Sequence, residues 1–182
     1  MEKTKKELLD DKLWMTKKSR MNAEKRLISN ANFFNIANIY YSVFIAIISI
    51  ISIVTDNTVY SLVSVILSVT LTITISFSSS LNYKERAEKM KKNYIDINKL
   101  EIQLKYTNEN DELKKIELEY NNLLNNVENH IEFDYFKAKI NNNEKLNKKQ
   151  IFSYCCHFIF VFLFRAIIFI IPVFVVTLTK LI

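Results

Sequence analysis

A chain of 182 residues is sized for about one domain, and its 25 basic against 19 acidic residues give a formal charge of +6. Its 49% apolar content and mean hydropathy of +0.04 match an average water-soluble protein, but the apolar residues are gathered into three blocks, which excludes an ordinary soluble core. With no Gly and one Pro, the chain has no Gly-rich phosphate loop and few helix breakers, so long helices joined by polar turns are expected.

The N-terminal segment, residues 1–32, holds nine basic and five acidic residues. Thr4-Lys5-Lys6-Glu7 fits a capping box, in which the Thr and Glu side chains satisfy opposite backbone donors. Nothing from there to Val54 forces a break, so an amphipathic cytoplasmic helix is expected to run almost directly into a first span. Its basic residues suit anionic lipid headgroups, and direct nucleic-acid binding is not expected.

The transmembrane region is assigned to 33–81. Residues 36–54 contain no charge, and residues 60–81 contain none. At about 1.5 Å per residue, roughly 20 residues cross a hydrocarbon core about 30 Å thick. A cleaved signal peptide does not fit the first block, because more than thirty residues precede it. Between the spans lies only Thr55-Asp56-Asn57-Thr58-Val59. In the second span Ser61, Ser64, Ser68, Thr72, Ser76 and Ser79 recur at steps of three and four and form one hydroxyl face. In the first, Asn35, Asn38, Ser42, Ala46, Ser49 and Ser52 form a similar row. Two readings of these rows stand: close helix–helix packing through small residues, or the lining of a pore.

Residues 82–150 hold fourteen basic and thirteen acidic residues with helical spacing. Tyr83, Ala87, Met90, Tyr94, Ile97 and Leu104 make one apolar stripe, and Leu113, Ile116, Tyr120, Leu123, Val127 and Ile131 make a second. Thr107-Asn108-Glu109-Asn110-Asp111 reads as the turn of a cytoplasmic helical hairpin, which is either separate from the second span or continuous with it. Each stripe must be buried against its partner or against another copy of the chain. Asn141-Asn142-Asn143 and the Lys-rich run after them read as a linker.

The third span lies within 151–182, where residues 158–179 carry one charge, Arg165, near the middle. Such a charge costs about 2.5–3.5 kcal/mol on insertion scales and requires a partner or water. Hydroxyls and backbone carbonyls are more plausible partners than Asp56 in the outer turn. Arg165 is thus either an anchor between helices or a contact on an ion path. Pro172 removes the bond to the carbonyl of Ile168. Cys155, Cys156 and His157 are consecutive and cannot converge on one ion; they suit packing or palmitoylation of a juxtamembrane thiol. No enzymatic constellation is present, and no metal or cofactor is expected. Of the 25 basic residues, 23 lie on one side of this arrangement. The positive-inside rule makes that side cytoplasmic, with the N-terminus inside.

The fold is therefore expected to be all-α and multi-pass: a transmembrane helical hairpin, a cytoplasmic helical hairpin and a third C-terminal span. The basic helix Trp14-Met15-Thr16-Lys17-Lys18-Ser19-Arg20-Met21-Asn22-Ala23-Glu24-Lys25-Arg26-Leu27 leads into two spans with a minimal turn. The second span leads into Tyr83-Lys84-Glu85-Arg86-Ala87-Glu88-Lys89-Met90, then Tyr94 and Leu100. Over roughly 10–135 this order resembles the SLATT proteins, two-span membrane effectors of bacterial conflict systems. The resemblance implies a homo-oligomeric, pore-forming or membrane-disrupting effector in the bacterial inner membrane. It would act in abortive antiphage defence beside a nucleotide-signal synthase, such as a cyclic-oligonucleotide cyclase, or a reverse transcriptase. The third apolar segment departs from the two-span pattern. The rival reading is a non-conducting anchor whose cytoplasmic hairpin recruits a soluble partner.

Overall fold

The structure, a computed structural model, describes residues 4–107 and 109–179. It is all-helical among those residues: α1 (Lys5–Thr55), α2 (Thr58–Ser80), α3 (Tyr83–Tyr106), α4 (Asn110–Asn125), α5 (Glu132–Asn141) and α6 (Lys148–Thr179). Among the described residues three helical stretches are long and apolar enough to cross a membrane: one in α1, one that includes α2, and one in α6. The chain is a multi-pass membrane protein.

The expected capping box opens α1. Glu7 N donates to Thr4 Oγ1 (3.3 Å), and Thr4 N donates to Glu7 Oε2 (2.8 Å). From there α1 runs as one helix of 51 residues, as the absence of breakers suggests. Helices often end on a left-handed residue, usually Gly, because Gly has no Cβ to clash. This chain has no Gly, and the work falls to Asp56 (φ 49°), Asn82 (φ 47°) and Asn143 (φ 57°), which end α1, α2 and α5. Asp and Asn are the residues that tolerate this region best after Gly. Asn82 therefore separates α2 from α3, and the second span does not continue unbroken into the charged hairpin.

The chain divides into two compact units, Met1–Ile28 with Lys84–Cys155 and Ser29–Tyr83 with Cys156–Ile182. In the first, the charged unit, Leu9 and Leu13 of α1 pack with Ile97, Leu100 and Leu104 of α3 and with Leu113, Ile116 and Tyr120 of α4. The two apolar stripes are thus buried against each other and against α1, with no second copy needed. The second stripe is shorter than its spacing suggests. α4 stops at Asn125, Val127 lies in the following turn, and Ile131 is an exposed residue ahead of α5. Helix α5 has no clear signal in the sequence, because its ten residues carry four charges and lie beside the Asn-rich linker.

Polar contacts fix α1 within this unit. Lys6 Nζ donates to the carbonyl of Thr107 (2.6 Å), just past the end of α3. Arg20, 1% exposed, donates from Nη1 and Nη2 to the carbonyls of Leu123 (3.2 Å) and Leu124 (3.4 Å) in the last turn of α4. Cations there satisfy orphan carbonyls and oppose the negative end of the helix dipole. Lys17 pairs with Glu101, and Lys5 pairs with Glu117 (3.3 Å). Much of the basic character that suggested lipid headgroups is therefore engaged inside the unit.

Asp134 is fully buried and organises α5. Its carboxylate accepts from Arg26 Nε (3.1 and 3.2 Å) and Nη2 (2.9 Å), and Oδ2 accepts from the backbone N–H of Ile131 (3.3 Å). Its carbonyl accepts from Asn22 Nδ2 (3.0 Å). Nearby, His130 stacks on Tyr135, and burial holds its imidazole below the ordinary value. The Asp134 carboxylate partly opposes that shift, and the Arg20 charge adds to it.

Candidate functional site

The membrane unit is built from the later part of α1, from α2 and from the apolar part of α6. Buried Ile48 and Ser52 of α1, with Ser64 and Leu67 of α2, lie nearest the tight turn. That turn is closed by Ser52 Oγ, which donates to the Asn57 carbonyl (3.0 Å), and by Asn57 Oδ1, which caps α2 by accepting from Val59 N (2.9 Å).

The hydroxyl row of α2 is only partly used in packing. Ser64 is buried, whereas Ser61, Ser68, Thr72 and Ser76 are exposed. On α1, Ser42 is exposed and Asn38 and Ser49 are half-buried. Most of these hydroxyls are satisfied by their own helix. Ser42 donates to the carbonyl of Asn38 (2.8 Å), Ser49 to Ile45 (2.9 Å) and Ser64 to Ser61 (2.8 Å). Ser68 donates to Val65 (2.8 Å), Thr72 to Ser68 (2.9 Å) and Ser76 to Thr72 (3.0 Å). Back-bonding of this kind lets a hydroxyl meet an apolar neighbour at little cost. Sequence spacing singled out one face, yet Thr70 and Thr74, off that row, behave in the same way.

Arg165 is not placed where its position in the apolar block suggests. Its guanidinium donates to Ser29 Oγ (3.3 Å from both Nη1 and Nη2) and to Asn30 Oδ1 (2.8 Å from Nη2). It also lies 5.0 Å from the centre of the Phe33 ring. Ser29 and Asn30 precede the apolar run of α1, so Arg165 is level with the polar shoulder of that helix rather than with its middle. The long Arg165 side chain reaches back to Ser29 and Asn30, while Ile168 and Phe169, only three and four residues further along α6, meet Tyr41 and Tyr40. A hydroxyl is among its partners, as expected; the other is a side-chain amide rather than a backbone carbonyl.

Pro172 lies inside α6 and has no N–H for the carbonyl of Ile168. Tyr41 Oη supplies that donor (2.8 Å), and Tyr40 Oη donates to the next carbonyl, Phe169 (3.0 Å). The adjacent tyrosines thus repair the backbone that proline opens. Phe33 and Tyr40 also pack edge-on against Phe169. A Tyr pair on one span and a lone Pro on another was the available signal, but pairing them required the relative register of the helices.

Between α1, α2 and α6 lies a cavity of about 320 Å³, lined by Phe34, Tyr41, Leu71, Thr74, Phe77 and Phe164 among others. No group of His, Cys, Asp and Glu able to hold a metal ion occurs among the described residues. Cys155 and Cys156 are exposed free thiols.

The family model for SMODS and SLOG-associating 2TM effector domain family 5 matches residues 2–178. The match includes nearly all of α6, so the third apolar helix lies inside the family region and is not an addition to a shorter similarity ending near 135. No curated protein and no solved structure matches the chain.

Proposed function

Because the chain belongs to the SLATT family of SMODS and SLOG-associating effector domains, we propose that it is a pore-forming or membrane-disrupting effector of abortive antiphage defence. The observation that carries this reading is the polar row of α1 and α2, much of which the chain's own helices leave uncovered. Several copies meeting through Asn38, Ser42, Ser49, Ser61, Ser68, Thr72 and Ser76 would place those residues around a common axis, where hydroxyls can turn from their own carbonyls to water. Arg165, held by Ser29 and Asn30, serves in this assembly as an anchor at the shoulder of the bundle. The charged unit lies in the cytoplasm of a bacterial cell, where it receives a nucleotide signal or a companion nucleotidyltransferase or reverse transcriptase. The chain itself is not an enzyme.

Activation in cells tests the reading directly. Membrane potential, followed with a voltage-sensitive dye, is expected to collapse before growth stops. Substitution of Ser68, Thr72 and Ser76 by Leu is expected to prevent the collapse without loss of membrane insertion. A second reading, a non-conducting anchor that recruits a soluble partner, is favoured by the self-satisfied hydroxyls, which have no need of water. Retained potential during growth arrest would select it.

A further inference from the structure

We propose that the membrane unit holds one anionic phospholipid, with its phosphate on Arg165 and an acyl chain in the hollow between α1, α2 and α6. The site depends on the chain being in a membrane and not on whether it forms a pore. Arg165 has Ser29, Asn30 and the Phe33 ring as partners, all of them neutral. A half-exposed guanidinium beside an apolar block still calls for a counter-charge, and its planar fork fits phosphate oxygens. Ser29 and Asn30 add a hydroxyl and an amide at the same level.

The hollow begins where that polar shoulder ends. Phe34 on α1, stacked on Tyr83 (ring centres 5.8 Å apart), stands at its shallow end with Phe77 and Phe164; Tyr41, Leu71 and Ile168 stand at its deep end. From Phe33 to Tyr41 is about 12 Å along a helix at 1.5 Å per residue, close to the roughly 15 Å half-thickness of a hydrocarbon core. A headgroup at the shoulder and a chain directed inward is the orientation that a lipid of one leaflet already has. The walls are mostly aromatic and aliphatic, and Thr74 satisfies its hydroxyl on Thr70, so the slot suits methylenes better than water.

The full chain, purified in mild detergent, is to be mixed with phosphatidylglycerol or with phosphatidylcholine of the same chains, and retained lipid counted by native mass spectrometry. Phosphatidylglycerol is expected to be retained at least tenfold over phosphatidylcholine. Arg165→Gln should remove that preference, and Arg165→Lys should keep part of it. Thr74→Phe, which fills the slot, should lower retention of both lipids, with helicity by circular dichroism unchanged. Free glycerol phosphate should not compete. An unaltered lipid ratio in Arg165→Gln, undiminished retention in Thr74→Phe, or displacement by glycerol phosphate would each overturn the site.

Discussion

Asp134 and His130 show how much a few buried polar residues decide in the charged unit. The Asp134 carboxylate has two obligations, the guanidinium of Arg26 and the first turn of α5. Asp134→Ala leaves Arg26 partly buried without a counter-ion, and breaking such a pair costs about 3–5 kcal/mol. Thermal unfolding should accordingly lose α5 first, read as new amide exchange across 132–141. His130 titrates in the opposite sense from a stabilising charge. Burial lowers its folded pKa below the ordinary value of about 6.5, so the unfolded chain takes up the proton first as pH falls. Stability is therefore expected to decline from about pH 6.5 down to the depressed folded pKa and to level off below it. Melting curves at stepped pH should show this slope in the native chain, and His130→Gln should flatten it; an equal slope in both would remove His130 as its source.

At the scale of elements, α6 depends on α1 for its backbone integrity. Pro172 opens the helix at Ile168, and Tyr41 closes the gap from outside. Interhelical hydrogen bonds in membranes are worth about 0.6 kcal/mol on average and up to about 1.7, and this one should lie in the upper part of that range because the carbonyl has lost its own N–H. Tyr41→Phe is expected to lower stability in micelles by about 1 kcal/mol. In a Pro172→Ala background, where residue 172 again supplies an N–H, the same change should cost little. The double-mutant cycle measures that coupling, and additive effects would show that the tyrosine does not act through the proline. The same interdependence governs α3 and α4, whose C-terminal carbonyls are met by Lys6 and Arg20 of α1. Ile116→Asp should therefore unfold the charged unit itself, since Ile116 lies in its core.

For the whole molecule, the distribution of charge predicts the orientation in the membrane. With 23 of 25 basic residues on one side, a Cys placed at Asn57 should be labelled from outside intact cells and one placed at Asn142 should not. Labelling at Asn142 would reverse the topology. Any assembly of copies is expected to run through the membrane helices, because the apolar stripes of the charged unit are largely buried within the chain. Crosslinking in membranes is expected to give species above the dimer that persist when exposed residues of the charged unit are altered. Such species should weaken when Ser61, Ser68 and Thr72 are replaced by bulky residues.

The apolar blocks, the capped helix start at Thr4, the polar turns and the family were legible in the sequence, because each depends on local composition or on helical spacing, whereas α2 begins at Thr58, inside the segment read as the outer turn. The buried row of α1, Leu9, Leu13, Thr16, Arg20, Ala23 and Leu27, also has that spacing, and the Thr and Arg within it were the available sign of a buried polar seam. What they would meet was not legible. Thr16 bonds Tyr120 (2.8 Å) and Arg20 meets the end of α4, both about a hundred residues away. Nor could sequence name the partners of Arg165, Ser29 and Asn30. Hydropathy measures position along one helix, whereas the partners of a charge depend on how neighbouring helices are offset along their axes. That offset is decided by side-chain packing and by the repair of the proline gap, both of which exist only in the tertiary structure.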